Sequence, residues 1–166
     1  MLVRRYEILF QEVGMSCDAK KISEKYEDFL GEGHYFIPGA KELLEDLSKK
    51  YHLYLASNGA VKVQMSRIQS AGIEKYLEKI FLSEQIGYEK PSPQFFEKCF
   101  AQIPDFKKEE ALILGDSLTS DIRGGKNAGI LTVWFHPSGK KVEEEIVPDY
   151  EIGKLEELKT ILSFYS

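Results

Sequence analysis

The sequence predicts an α/β fold: helices covering an open parallel sheet, with a small helical lobe ahead of it. Three observations carry this. Short apolar runs such as Leu53–Ala56 and Ala111–Leu114 lack alternation, as suits strands covered on both faces. Amphipathic segments separate those runs, and a strand–helix rhythm implies right-handed crossovers between parallel strands. The residues before Gly31 carry helical periodicity only, which predicts a separate lobe.

The first helix is read from Leu2, Tyr6, Leu9, Phe10 and Val13, with Gly14 as its stop and no capping residue in front. The second carries Ile22, Tyr26, Phe29 and Leu30 on one stripe, with Asp18 as N-cap and Gly31 closing it. Gly31, Gly33, Pro38 and Gly39 mark a connection, and Leu43, Leu44, Leu47 and Tyr51 stripe a third helix. The strand Leu53–Ala56 breaks off at Ser57-Asn58-Gly59. A helix follows through Val61, Met65, Ile68 and Ala71, stopped by Gly72. Ile80–Leu82 is the next strand. Ser92-Pro93 supplies an N-cap and an N1 proline for a helix holding Phe96, Cys99, Phe100 and Ile103. Ala111–Leu114 is a strand ended by Gly115-Asp116, and a short helix spans 121–128 before Gly129. Ile130–Phe135 is a fourth strand, and Leu155, Leu158, Ile161 and Leu162 stripe a last helix.

Composition bounds the function. The chain has 166 residues, 43% hydrophobic and 30% charged, which is globular rather than disordered. Its 22 basic and 27 acidic residues leave a net charge of −5, against a nucleic-acid partner, which needs a basic face. No apolar run approaches the roughly 18 residues of a membrane span, and the first residues do not read as a signal peptide. Cys17 and Cys99 stand apart and read as reduced, small apolar residues of a cytoplasmic protein.

In an open α/β sheet, ligands bind beyond the carboxyl ends of the strands. Ser57 and Asn58 follow one strand, Asp116 and Asp121 follow another, and Lys90 lies between them before Pro91. Two carboxylates without His or Cys suit Mg²⁺, a hard cation that uses one or two carboxylates plus substrate phosphate. A lysine neutralises phosphoryl oxygens, and a serine hydroxyl with backbone N–H groups holds the rest. This is a phosphoryl-transfer set that lacks an attacking group. Each residue also has a plain structural role: Ser57 as a turn residue, Asp116 in an Asx turn, Asp121 at a helix N-terminus, Lys90 as a solvated lysine. Their order along successive strand ends favours the chemical reading.

Other features read as structural. His34, His52 and His136 have no metal spacing. Gly124-Gly125-Lys126-Asn127 imitates the end of a phosphate-binding loop, but Ser120 and Asn127 break its pattern. The Glu143–Glu145 run reads as a solvated face and Trp134 as core packing.

The polar motifs resemble, in order over most of residues 37–166, those of the haloacid dehalogenase-like hydrolases. Leu55-Ala56-Ser57-Asn58-Gly59 looks like the motif whose Ser/Thr holds the phosphoryl group. Lys90 in Tyr88-Glu89-Lys90-Pro91-Ser92-Pro93 looks like the lysine that steadies charge around nucleophile and phosphate. Gly115-Asp116-Ser117-Leu118-Thr119-Ser120-Asp121 looks like the motif whose two acids hold Mg²⁺. The resemblance implies a three-layer α/β/α Rossmannoid core over residues 37–166 and part of a helical cap over 1–36. It implies catalytic Ser57 and Lys90, phosphate-binding Ser57, Asn58 and Lys90, and metal ligands Asp116 and Asp121. The stretches 83–90 and 116–135 most resemble the pyrimidine 5′-nucleotidase branch, so a small phosphorylated metabolite, a nucleoside monophosphate, is the implied substrate.

One departure matters. The family's first motif, Asp-x-Asp-x-Thr on the first strand, occurs nowhere in this sequence. Its first Asp would attack phosphorus and its second would act as general acid/base. The expected sheet therefore lacks its first central strand, between Leu53–Ala56 and Leu112–Leu114. Three outcomes are open: the flanking strands pair directly, another chain supplies a strand through the open edges, or the sequence is part of a longer protein. Two functions follow: a phosphatase inactive without the first motif, or a non-catalytic module binding phosphate and Mg²⁺. A phospho-acceptor receiver and a halogen-removing enzyme fit the two late acids less well.

Overall fold

The computed structural model describes residues 2–139 and 145–165. The two sequence-predicted helices that open the chain are α1 (Leu2–Glu12) and α2 (Ala19–Glu32). Asp18 caps α2 as the sequence predicts, its side chain accepting from the Lys21 N–H at 3.1 Å. The core then runs α3 (Ala40–Leu47), β1 (Tyr54–Ser57), α4 (Val61–Ala71), β2 (Lys79–Leu82), the single-turn α5 (Ser83–Ile86) and α6 (Pro93–Phe100). After these come β3 (Leu112–Gly115), α7 (Arg123–Ala128), β4 (Leu131–Phe135), β5 (Tyr150–Ile152) and α8 (Leu158–Leu162).

Among the described residues every strand pair is parallel, as the unalternating runs predict. They form two sheets rather than one: β1–β2, and β3–β4–β5 in that order. Direct pairing of β1 with β3 is therefore not adopted among the described residues. Helices still make three layers. On one face, α3 and α8 bring Leu43, Leu158 and Ile161 onto Val133 and Phe135 of β4 and Ile152 of β5. On the other, Phe95, Phe96 and Cys99 of α6 pack with Ala128 of α7, Phe81 of β2 and Ile130. This second cluster also takes in Tyr54 and Ala56 of β1 and Ile113 of β3, so it spans both sheets. Alternation along β3 is clean: Leu112 and Leu114 face one layer, Ile113 the other.

The Gly124-Gly125 pair has a packing reason. A Cβ at Gly124 would lie 2.5 Å from the Phe96 ring, and one at Gly125 would lie 2.5 Å from Ile113 and 2.7 Å from Thr132. Only glycine lets α7 approach α6 and the β3–β4 surface so closely.

Several expectations are corrected. Gly31 does not close α2; it is buried inside the helix against Ser66 of α4, and the helix ends at Glu32. The α2 stripe of Ile22, Tyr26, Phe29 and Leu30 is exposed, at 39–60%. What α2 buries is Ser23 and Gly31. Polar contacts tie the lobe to α4, whose Lys62, Ser66 and Ser70 share one face at i, i+4 and i+8. Lys62 pairs with Asp28, Ser66 donates to the Gly31 carbonyl at 2.9 Å, and Ser70 meets His34 at 2.6 Å. Strand β5 and helix α5 were not expected; at three and four residues they are too short to show a period. Cys17 is exposed rather than packed, while Cys99 is buried as expected. All three histidines are satisfied side chains, as the sequence suggests, meeting Ser70, Glu78, and Glu151 with Ser138. Glu145 is exposed; Glu143 and Glu144 of the acidic run lie outside the described residues. Among the described residues no helix is long and apolar enough to cross a membrane.

Candidate functional site

Lys90 lies between α5 and α6, joined to Pro91 by a cis peptide bond. Its ammonium reaches the carboxyl ends of both sheets. The Nζ donates to the Ala56 carbonyl of β1 at 2.6 Å and to Oδ1 of Asp121, beyond β3, at 2.7 Å. The pair is nearly enclosed, with side-chain exposures of 8% for Lys90 and 10% for Asp121. Lys90 therefore bridges the two sheets, which no strand pairing joins among the described residues. An ammonium has three donors, so two are engaged and one remains.

The sequence builds the Asp121 position locally. Ser117 caps a wide π-type turn, Leu118–Ile122, its hydroxyl accepting from the Ser120 N–H at 3.2 Å. The Ser117 N–H in turn donates to Asp121 Oδ2 at 3.1 Å. Gly115 makes room: a Cβ there would lie 2.4 Å from the Asp121 side chain. Both Asp121 oxygens are thus engaged, one by Lys90 and one by a backbone N–H.

Ser57 closes β1. Its hydroxyl oxygen accepts from the Gly59 N–H at 3.1 Å, which leaves the hydroxyl proton to donate elsewhere. Asn58, expected among the phosphate-binding residues, meets the Lys90 backbone. Its Nδ2 donates to the Lys90 carbonyl at 2.9 Å, and its Oδ1 accepts from the Lys90 N–H at 2.8 Å. Both ends of its amide are therefore occupied by the Lys90 backbone.

Asp116 is exposed, and its carboxylate makes no hydrogen bond or ion pair among the described residues. Its backbone carbonyl accepts from the Trp134 indole at 3.0 Å. Trp134, read from sequence as core packing, is buried but also fixes the Asp116 backbone. The signal was present in kind: a buried tryptophan near a strand end must place its N–H. The Trp134 ring stacks on His136 at 4.0 Å and 17°, and His136 is held by Glu151 at 3.0 Å and Ser138 at 2.7 Å.

Asp116 and Asp121 are the expected Mg²⁺ pair. Among the described residues no group of three His, Cys, Asp or Glu is gathered for a metal. The free Asp116 carboxylate is a hard oxygen donor, and Mg²⁺ needs only one or two carboxylates beside water and phosphate. The donor chemistry fits through Asp116. Asp121 is held by the Lys90 ammonium and by the Ser117 N–H.

The structure thus brings Ser57, Asn58, Lys90 and Asp121 together where β1 and β3 end, with Asp116 five residues before Asp121 on the same loop. Against known proteins, the haloacid dehalogenase-like hydrolase family pattern matches residues 3–135. The chain is 42% identical over 159 residues to YfnB of Bacillus subtilis, covering 96% of this chain and 68% of that protein. It is 37% identical over 155 residues to the pyrimidine 5′-nucleotidase PynA of Streptococcus pneumoniae, covering 93% and 65%. It therefore spans about two thirds of the length of these relatives. The orthorhombic crystal structure of YfnB bound to magnesium superposes with a TM-score of 0.90, over 97% of this chain and 71% of that one. On this match of sequence, fold and motif order, the chain belongs to the haloacid dehalogenase-like hydrolase family.

Proposed function

We propose that this chain carries the phosphate-holding and metal-holding residues of a Mg²⁺-dependent phosphatase for nucleoside 5′-monophosphates. The observation that carries the reading is the enclosed Lys90 ammonium, fixed at the strand ends with one donor to spare. In so enclosed a position its attraction for a phosphoryl oxygen is less screened than in water. The Ser57 hydroxyl proton supplies a second donor from the end of β1. Asp121 keeps the Lys90 ammonium aimed and compensated. Asp116 is the residue of this chain that would hold Mg²⁺, which when bound neutralises phosphoryl oxygens and orients them.

The nucleotide preference is supported by the 37% identity to a protein named a pyrimidine 5′-nucleotidase. The attacking carboxylate is proposed to come from an Asp-x-Asp-x-Thr segment, a sequence absent from these 166 residues. That absence favours a second reading, a module that binds phosphate without turnover.

Phosphate release from UMP and CMP in Mg²⁺ separates the two. The chain alone is compared with the chain joined at its amino end to a segment bearing Asp-x-Asp-x-Thr. The phosphatase reading expects turnover only from the joined protein, abolished by Asp116→Asn. A joined protein that folds and binds Mg²⁺ yet hydrolyses neither nucleotide leaves the binding module standing instead.

A further inference from the structure

We infer that Asn58 is a positioning residue for Lys90, acting through the lysine's backbone rather than on a ligand. The inference rests on the phosphatase reading above and deepens it. A primary amide is complementary to a peptide unit: one N–H donor and one carbonyl acceptor, matched to a backbone C=O and N–H. Asn58 uses both, with bonds of 2.9 and 2.8 Å to the same residue 32 positions away. Lys90 then returns its side chain to β1, donating to Ala56 two residues before Asn58. The lysine is held to one strand end twice, at its backbone by Asn58 and at its ammonium by Ala56.

Ser57 sits between these two anchor points, so the clasp sets the spacing between the Ser57 hydroxyl and the Lys90 ammonium. Position matters here more than charge. Without the clasp, Lys90 keeps its ammonium but its backbone is no longer tied to β1, and a flexible four-carbon side chain must find its aim from a freer origin. Asn58 is exposed, so truncating it opens no cavity in the core. That separates positioning from stability.

Two variants and inorganic phosphate as the probe test this. Asn58→Ala removes both bonds. Asn58→Asp keeps an acceptor for the Lys90 N–H and loses the donor to its carbonyl. Amide hydrogen exchange at Lys90 is followed by NMR, phosphate affinity by calorimetry, and folding by the melting temperature. The expected result for Asn58→Ala is faster Lys90 exchange and about tenfold weaker phosphate binding, with the melting temperature lowered by only a few degrees. Asn58→Asp should keep Lys90 protected from exchange. Wild-type Lys90 exchange or wild-type phosphate affinity in Asn58→Ala overturns the inference. A wild-type protein that binds no phosphate overturns the phosphatase reading; Lys90 exchange then decides the clasp by itself.

Discussion

The helical lobe and the α/β core show the same kind of sequence signal with opposite outcomes. Both carry apolar stripes at helical spacing. In the core, α6 buries Phe96 and Cys99 of its predicted stripe at 4% exposure, with Phe100 partly buried and Ile103 beyond the helix end, and it adds Phe95 at 0%. In the lobe, α2 leaves Phe29 at 60%. Periodicity therefore identifies the face that favours cover; it does not say that cover is present. The lobe is held instead through polar contacts on α4, with Ser66 and Gly31 at their centre.

The sharpest way to break this contrast is a pair of matched truncations. Phe95→Ala in the core should cost about 3–5 kcal/mol, because the emptied space is enclosed. Phe29→Ala in the lobe should stay within about 0.5 kcal/mol, as for an exposed site. Urea unfolding of both variants checks this. A large loss from Phe29→Ala would mean that the lobe face is covered in solution.

The buried ion pair gives an effect of similar size. Removing the Lys90 ammonium as Lys90→Met leaves Asp121 enclosed beside an apolar chain and should cost about 3 kcal/mol. Adding Asp121→Asn should recover much of that loss, since no unpaired charge then remains. Equal stability of the single and double variants would show that the pair is not enclosed as described.

Thiol chemistry divides the same two regions. Burial pushes the Cys99 thiol up to about 12, so at neutral pH it carries almost no reactive thiolate. Cys17, in the lobe, is exposed. A thiol-reactive dye should label Cys17 rapidly in the native protein and Cys99 only on unfolding. Rapid double labelling without denaturant would contradict the core packing.

The smallest expected effect concerns Asp149. Burial pushes its carboxyl up, but hydrogen bonds from Lys126 and Thr132 and the Lys126 charge outweigh this and hold it below 3.8. Folding thus favours the carboxylate. Its stabilisation is fully present above the unfolded value and is lost as pH falls through the lowered folded one. The melting-temperature gap between wild type and Asp149→Asn should be constant near neutrality and close in strong acid. A gap that grows on acidification has the wrong sign for this account.

Much of the core was legible because short strands and capped helices are local signals. Ser92-Pro93 marked the start of α6, and Gly72 and Gly129 marked helix ends, each within the residues concerned. The site was legible as an order of polar residues at strand ends. Its wiring was not. Asn58 to Lys90 and Lys90 to Asp121 each span more than thirty positions, and no local pattern records which carboxylate meets the ammonium. Asp116 and Asp121 read alike in sequence. Burial and the Ser117 turn separate them into a free carboxylate and one already engaged. The division into two sheets is likewise a matter of long-range pairing, which strand periodicity alone does not state.

The central claim is that the ends of β1 and β3 form a phosphate site organised around Lys90. Phosphorus NMR titration of inorganic phosphate tests it most directly, comparing wild type with Ser57→Ala and with Lys90→Met/Asp121→Asn, each first shown to be folded by circular dichroism. Saturable binding by wild type, weakened about tenfold by Ser57→Ala and lost in the double variant, is the predicted result. Equal affinity in all three proteins would contradict it.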